Sequence, residues 1–222
     1  MTPRRILPLF PLPNVLLLPE TDLPLHIFEP RYQAMLADAL EGERLLGIQL
    51  LNPAGPPDDA GRPAVFEVGC AGEVVEHEPL EDGRSNILLR GVFRYRIARE
   101  RDTPTPYRVA EVVPLEMQPF AATPGAPSRV ELRHLLARSV ERLADSVGRA
   151  HSRSLPPELS DEGFVNEALT RLGLDAEEGY RVLVMDCLEE RYDWALAHIQ
   201  GVQKRLDFLA PFRRPSLDSR WN

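Results

Sequence analysis

Hydrophobic positions follow two different periods along this chain. Up to about Glu116 they come as short runs and alternations that predict strands, and beyond Gln118 they recur at the three-and-four spacing of helices. Residues 6–10 and 15–18 are apolar runs separated by Pro11-Leu12-Pro13-Asn14, which suits extended chain with a bend. Pro30 stands where a helix begins, because its missing N–H costs nothing in a first turn. Tyr32, Met35, Leu36, Ala39 and Leu40 carry that helix, and Gly42 ends it. Residues 44–51 predict a buried strand, and the Pro, Gly and Asp content of residues 52–63 predicts an exposed loop.

The clearest hairpin joins residues 65–80 to residues 85–99 through Glu81-Asp82-Gly83-Arg84, with Asp-Gly as the tight-turn pair. In its second arm Ile87, Leu89, Phe93, Tyr95 and Ile97 define a core face, and Arg90, Arg94 and Arg96 a solvent face. Gly91 interrupts the inner row, which predicts a bulge or the sharp coil of a closed sheet. One further strand, residues 107–115, follows the Thr-Pro-Thr-Pro turn, and the set points to a small barrel.

In the second part Leu132, Leu135, Leu136, Val140, Leu143 and Val147 form one apolar stripe. Pro156-Pro157 opens a second helix near Glu158, and Asp175 caps a third. Leu188, Tyr192, Ala195, Ile199, Val202, Leu206 and Leu209 run along the last, with Lys204 off the stripe and solvated. The expected class is α+β: a β pseudo-barrel followed by a C-terminal α-helical bundle. Its divisions are a barrel subdomain at 1–117, a linker at 118–128, a bundle at 129–210 and a tail at 211–222.

Composition narrows the function. The net charge is −8, and acidic residues outnumber basic ones both before and after residue 120, which disfavours nucleic acid as a partner. The 22 prolines argue against an all-helical protein. Lys204 is the only lysine and follows Gln203, so a phosphate loop of the G-x-x-x-x-G-K type is excluded. Cys70 and Cys187 form no disulfide framework or C-x-x-C pair. Prolines break the N-terminal apolar stretch, no run reaches the ~20 residues of a membrane span, and a cytoplasmic location is expected.

Candidate chemistry is sparse. His26 and Glu29, in Leu25-His26-Ile27-Phe28-Glu29-Pro30-Arg31-Tyr32, could form a ligand pair or a base with its orienting group. We favour a structural account. His26 then bonds backbone at a tight junction, and Glu29 complements the helix N-terminus while Phe28 and Tyr32 anchor the corner. His77, between Glu76 and Glu78, has no second histidine at ligand spacing. His134 and His151 are not an i, i+4 pair, and His198 has no histidine or cysteine neighbour, so no metal or cofactor site is expected. Cys70 and Cys187 have no local base and predict core positions. Arg90, Arg94, Arg96, Arg99 and Arg101 could line a groove for acidic groups, but Glu100 and Asp102 interleave with them, and a solvated face is favoured.

The segment Leu7-Pro8-Leu9-Phe10-Pro11-Leu12-Pro13-Asn14-Val15, followed by Leu23-Pro24-Leu25-His26-Ile27-Phe28-Glu29-Pro30-Arg31-Tyr32, resembles the opening of the Lon protease N-terminal substrate-binding domain. Gly47-Ile48, Val68-Gly69-Cys70-Ala71-Gly72, Asn86-Ile87-Leu88-Leu89-Arg90-Gly91, Pro106-Tyr107-Arg108-Val109-Ala110 and Leu155-Pro156-Pro157-Glu158-Leu159 continue the match in order. The resemblance implies a PUA-like pseudo-barrel followed by a helical bundle, and recognition of unfolded or tagged polypeptides. Full-length Lon proteases add ATPase and Ser–Lys peptidase modules, so it implies a stand-alone, non-catalytic module. The expected partners are unfolded or client polypeptides, together with an ATP-dependent protease or chaperone. Their expected site is a hydrophobic groove between barrel and bundle, supplemented by the 52–63 loop, with no individual binding residue assigned. The alternatives are an RNA-binding PUA-like protein, or a small-molecule enzyme in which at least two of His26, Glu29 and Cys70 would have to converge in one concave pocket.

Overall fold

The computed structural model describes residues 3–58, 61–120, 128–146 and 155–209. Six strands and five helices follow in the order β1 (Arg5–Leu12), β2 (Asp22–Ile27), α1 (Pro30–Glu41), β3 (Leu45–Leu50), β4 (Val68–Pro79), β5 (Ser85–Arg101) and β6 (Arg108–Pro114). The helices α2 (Arg129–Ser146), α3 (Asp161–Leu172), α4 (Ala176–Leu183) and α5 (Leu188–Leu209) complete the fold. The sheet runs β2-β5-β4-β3-β1-β6, and β6 pairs back onto β5. Strand β5 is long enough, at 17 residues, to pair with β2 along its first half and β6 along its second. Five strands therefore close into a barrel, and β2 extends the sheet at one side. β1 and β3 run parallel, as the intervening α1 crossover allows, and the other pairs are antiparallel.

Alternation along β5 changes phase at a bulge. Val74 pairs with Leu89 and Gly72 with Gly91, but Ala71 pairs with Phe93 and Cys70 with Arg94, leaving Val92 as the extra residue. Arg94 thus shares the face of Leu89, and Tyr95 takes the opposite one. The expected solvent position of Arg94 is corrected: its side chain is 1% exposed. The core row predicted from Ile87 to Ile97 also divides between two clusters. Inside the barrel Tyr95 packs with Leu7, Leu9, Ala110 and Val112. Its phenol donates to Gln49 Oε1 at 2.8 Å, and a Cβ on Gly47 or Gly69 would strike the Tyr95 side chain. On the outer face, a second cluster runs without a break from Phe10, Ile48 and Leu89 through α1 to Leu136, Val165, Leu183 and Ile199 in the helices.

Charged groups lock that junction. Arg94 donates to the Leu183 and Met185 carbonyls at 2.9 Å each, to Asp186 at 3.0 Å and to the Glu116 carbonyl at 3.2 Å. Arg191, fully buried, donates to Glu162 at 3.2 Å, to Asn166 at 2.7 Å and to the Met185 carbonyl at 2.9 Å. Burial pulls the Arg191 guanidinium down to about 10, still protonated at neutral pH. Glu20, held at φ 61°, accepts from the Ser160 backbone N–H and hydroxyl at the start of α3.

Three local expectations are corrected. Residues 15–18 are not a strand, because the Leu18 carbonyl is taken by a turn, accepting from the Thr21 N–H at 3.2 Å and hydroxyl at 2.8 Å. The helix expected at Pro156-Pro157 begins at Asp161, capped by Ser160. Leu135 is 48% exposed at the margin of the α2 stripe, whereas Leu132, Leu136, Val140 and Leu143 are buried. Asp175 does cap α4, through a reciprocal capping box with Glu178. Most of the 118–128 linker, Val147, the side chain of Leu209 and the 211–222 tail lie outside the described residues.

Candidate functional site

The residues proposed for small-molecule chemistry are not brought together. His26, exposed on β2, pairs with Asn86 at 2.8 Å, and Asn86 Nδ2 donates to Glu78. That donation fixes the amide so that Oδ1 accepts and His26 Nδ1 carries the proton. The expected backbone bond of His26 is replaced by this side-chain one. Glu29 is the N-cap of α1, but its carboxylate makes no cap bond and accepts from Arg31 at 2.9 Å. Phe28, expected to anchor the corner, is 60% exposed with its ring 6.1 Å from that of His26. Tyr32 alone is buried there, 4.3 Å from Phe10. Cys70 is wholly buried, and desolvation pushes its thiol far above the ordinary range. His26 and Asn86 share a rung with Glu78, eight positions from Cys70 on β4. That is up to roughly 25 Å at about 3.3 Å per residue.

The remaining histidines are separate too. His77 meets Ser85 Oγ at 3.2 Å, His134 is exposed, and His198 stacks on Trp194 with Glu178 at 3.6 Å. His151 lies outside the described residues. Cys187 is half-buried, and Lys204 is exposed. Among the described residues no group of three or more His, Cys, Asp or Glu could hold a metal ion, and no helix is long and apolar enough to cross a membrane.

The β5 arginines form no continuous positive groove. Arg90 pairs with Asp22 at 2.8 Å, Arg96 with Glu67 at 3.1 Å and Arg99 with Glu111 at 2.6 Å, while Arg94 is interior. These pairs hold the Arg90 and Arg99 guanidiniums above their usual value.

Concave surface lies elsewhere. A cavity of about 280 Å³ opens at the barrel mouth between Leu9, Pro11, Tyr32, Leu51, Pro63 and Tyr107. A second, of about 260 Å³, lies between Ile6, Pro8, Asp38, Leu45, Tyr107 and Val109. Alternation along β1 builds both: Pro8 and Phe10 face outward, while Leu7 and Leu9 enter the barrel. α1 forms one wall, and the loop leading into β6 forms the other. In that loop Thr105 Oγ donates to the Tyr107 carbonyl at 3.0 Å, and the Tyr107 phenol donates across to Asp38 on α1. Burial and that carboxylate push the Tyr107 phenol up to about 12. Arg108 is fixed by Glu100 at 2.9 Å and the Pro63 carbonyl at 2.8 Å, which ties the 52–63 loop to the mouth. Arg31, its Cζ 4.5 Å from the centre of the Tyr32 ring, and Arg62, paired with Asp58 at 2.6 Å, stand half-exposed on the rim.

The groove expected between barrel and bundle exists as a smaller cavity of about 200 Å³, lined by Val15, Leu16, Leu18, Leu169, Leu174 and Gly179 among others. None of the described residues of the 52–63 loop lines it; Arg62 and Pro63 line the barrel mouth instead. Sequence reasoning assigned no role to Tyr107 or Arg108. Their one signal is Pro106-Tyr107-Arg108, where a fixed turn delivers an aromatic and a cation together.

The model of the ATP-dependent protease La (LON) substrate-binding domain matches residues 6–200. The chain is similar to the Lon protease of Cytophaga hutchinsonii, 22% identical over 200 residues that make up 86% of this chain and 23% of that protein. It is 24% identical over 110 residues to the Lon protease of Parabacteroides distasonis, covering 50% of this chain and 13% of that one. The chain thus spans less than a quarter of the length of these relatives. Among solved structures, a Lon N-terminal domain protein from Xanthomonas campestris superposes with a TM-score of 0.56 at 25% identity, covering 87% of this chain and 98% of that one. The N-terminal domain of a Mycobacterium avium complex Lon protease superposes at 0.57 and 16% identity, covering 86% and 98%.

Proposed function

Because the chain belongs to the LON substrate-binding domain family, we propose that it is a non-catalytic module that binds unfolded or client polypeptides. The similarity is to the substrate-binding domain of Lon proteases and not to their peptidase domain. The observation that carries the reading is the barrel-mouth cavity, the largest of the three described. It has an apolar floor, aromatic and proline walls and two guanidiniums on its rim, which suits side chains of an extended chain better than a reacting centre. The module delivers its clients to an ATP-dependent protease or chaperone. Two free thiols, one of them buried, accord with action in the cytoplasm.

The test is a fluorescence-anisotropy titration with a permanently unfolded polypeptide, such as reduced and carboxymethylated α-lactalbumin. Saturable binding at micromolar concentrations, weakened when Tyr32 is replaced by Ala in a protein that still melts cooperatively, supports the reading. No binding at tens of micromolar by a folded protein overturns it.

A further inference from the structure

Strands β2, β5 and β4 form a wing whose two faces differ. Leu23, Leu25 and Leu89 turn one face into the outer core. The other face carries the rows Asp22–Arg90–Glu73, Pro24–Leu88–Glu76 and His26–Asn86–Glu78, all exposed except the half-buried Leu88. The bulge at Val75 keeps Glu76 and Glu78 on the face of Glu73, since an unbroken strand would turn them away. None of these residues lines any of the three cavities.

Charge on this face is unbalanced. Arg90 pairs with Asp22 at 2.8 Å, and Asn86 donates to Glu78 at 2.9 Å. Among the described residues Glu73 and Glu76 make no hydrogen bond or ion pair, and they act on Arg90 only through space. Asp22 and Arg90 cancel, which leaves Glu73, Glu76 and Glu78 as a line of carboxylates at steps of about 7 Å. Beside that line runs an apolar strip of Leu88, Pro24 and Phe28, the last 60% exposed with its ring 6.1 Å from that of His26.

Strand addition at the free edge of β2 does not match this surface. The Gly91 N–H donates to the Thr21 carbonyl at 2.9 Å, so by alternation Asp22, Pro24 and His26 turn their backbone outward. Pro24 has no N–H to give there. A helix lying over the face does match. The outer strands of the wing lie about 10 Å apart, the width of an α-helix with its side chains. Residues i and i+4 of a helix rise by about 6 Å, close to the step between the carboxylates.

Beyond the client-binding reading, we propose that this face docks a basic amphipathic helix of a partner protein. Its apolar stripe covers Phe28, Pro24 and Leu88, and lysines or arginines beside that stripe reach Glu73, Glu76 and Glu78. Those cations supply the counter-charge that the face lacks, which makes the contact salt-sensitive and selective against acidic helices.

The probe is a labelled peptide with leucine at i, i+3, i+7 and i+10, lysine at i+4, i+8 and i+11, and alanine or glutamine elsewhere. Titrated with the whole chain it binds saturably, and Glu73→Gln/Glu76→Gln/Glu78→Gln weakens binding roughly tenfold, the worth of three exposed ion pairs. Glu41→Gln/Glu158→Gln/Glu190→Gln removes the same charge from exposed positions elsewhere and leaves binding unchanged. Phe28→Ala, also at an exposed position, weakens it. Equal losses in the two triple variants mean adsorption by net charge and overturn the proposal, as does no saturable binding by folded protein at tens of micromolar. Equal binding of a probe with two central prolines overturns the helical occupant. Competition by carboxymethylated lactalbumin would make the face part of the client site and overturn a separate partner surface. If lactalbumin does not bind while the probe still docks on this face, the client reading fails and the docking surface stands.

Discussion

Arg94 and Tyr107 show how one side chain can set the geometry around it. Arg94 joins β5 to the turn between α4 and α5, and its removal strands the Leu183 and Glu116 carbonyls in the interior, while the Met185 carbonyl and Glu162 keep only Arg191. Breaking a buried charged network of this kind costs about 3–5 kcal/mol. Arg94→Ala is therefore expected to lose that much in urea unfolding, and Arg96→Ala, whose partner Glu67 is exposed, less than about 1 kcal/mol. Tyr107 makes a pH prediction. Its phenol is held protonated to about 12 in the folded protein, against a reference of 10.0. Unfolding above pH 10 then releases a proton, so its contribution is complete below that value and is lost as pH rises towards 12. The melting temperature should decline between pH 10 and 12, and Tyr107→Phe should decline less steeply. An identical slope in the two proteins would contradict the assignment.

At the scale of elements, the β5 bulge is the decisive irregularity. A Cβ on Gly91 would lie 2.0 Å from the Leu18 carbonyl oxygen, which is backbone and cannot step aside cheaply. Gly91→Ala should destabilise by at least the about 1–3 kcal/mol typical of overpacking, read as a shift in urea midpoint with unchanged slope. The hairpin, α1 and the α4 cap were legible from the sequence because turn chemistry, Pro30 and Asp175 are local signals. Gly91 even marked the bulge. Its consequence was not legible: a one-residue insertion exchanges the faces of everything after it, and only the register with Cys70 reveals that Arg94 turns inward. Residues 15–18 failed for a related reason, since apolar content marks burial and the turn at Thr21, not the composition, decides the backbone pairing. The start of α3 was misplaced because its cap, Ser160, is itself held by Glu20, a partner 140 residues away.

Across the whole molecule, the outer core passes from barrel to helices without interruption, and the junction is closed by Arg94, Glu20 and Asn166, whose amide donates to the Pro19 carbonyl and accepts from Arg191. A surface so tied leaves the cleft beside α1 as the larger concavity, and the groove between barrel and helices as the smaller. A concave site was expected from the sequence, but its place was not, because Tyr107, Arg62 and Tyr32 meet only once the barrel closes. Backbone hydrogen–deuterium exchange, with and without saturating carboxymethylated lactalbumin, tests the location and the function together. The account predicts slowed exchange at residues 61–66 and 102–108, with residues 173–179 unchanged. Protection confined to residues 14–18 and 173–179, with the barrel mouth exchanging as in the free protein, would contradict it.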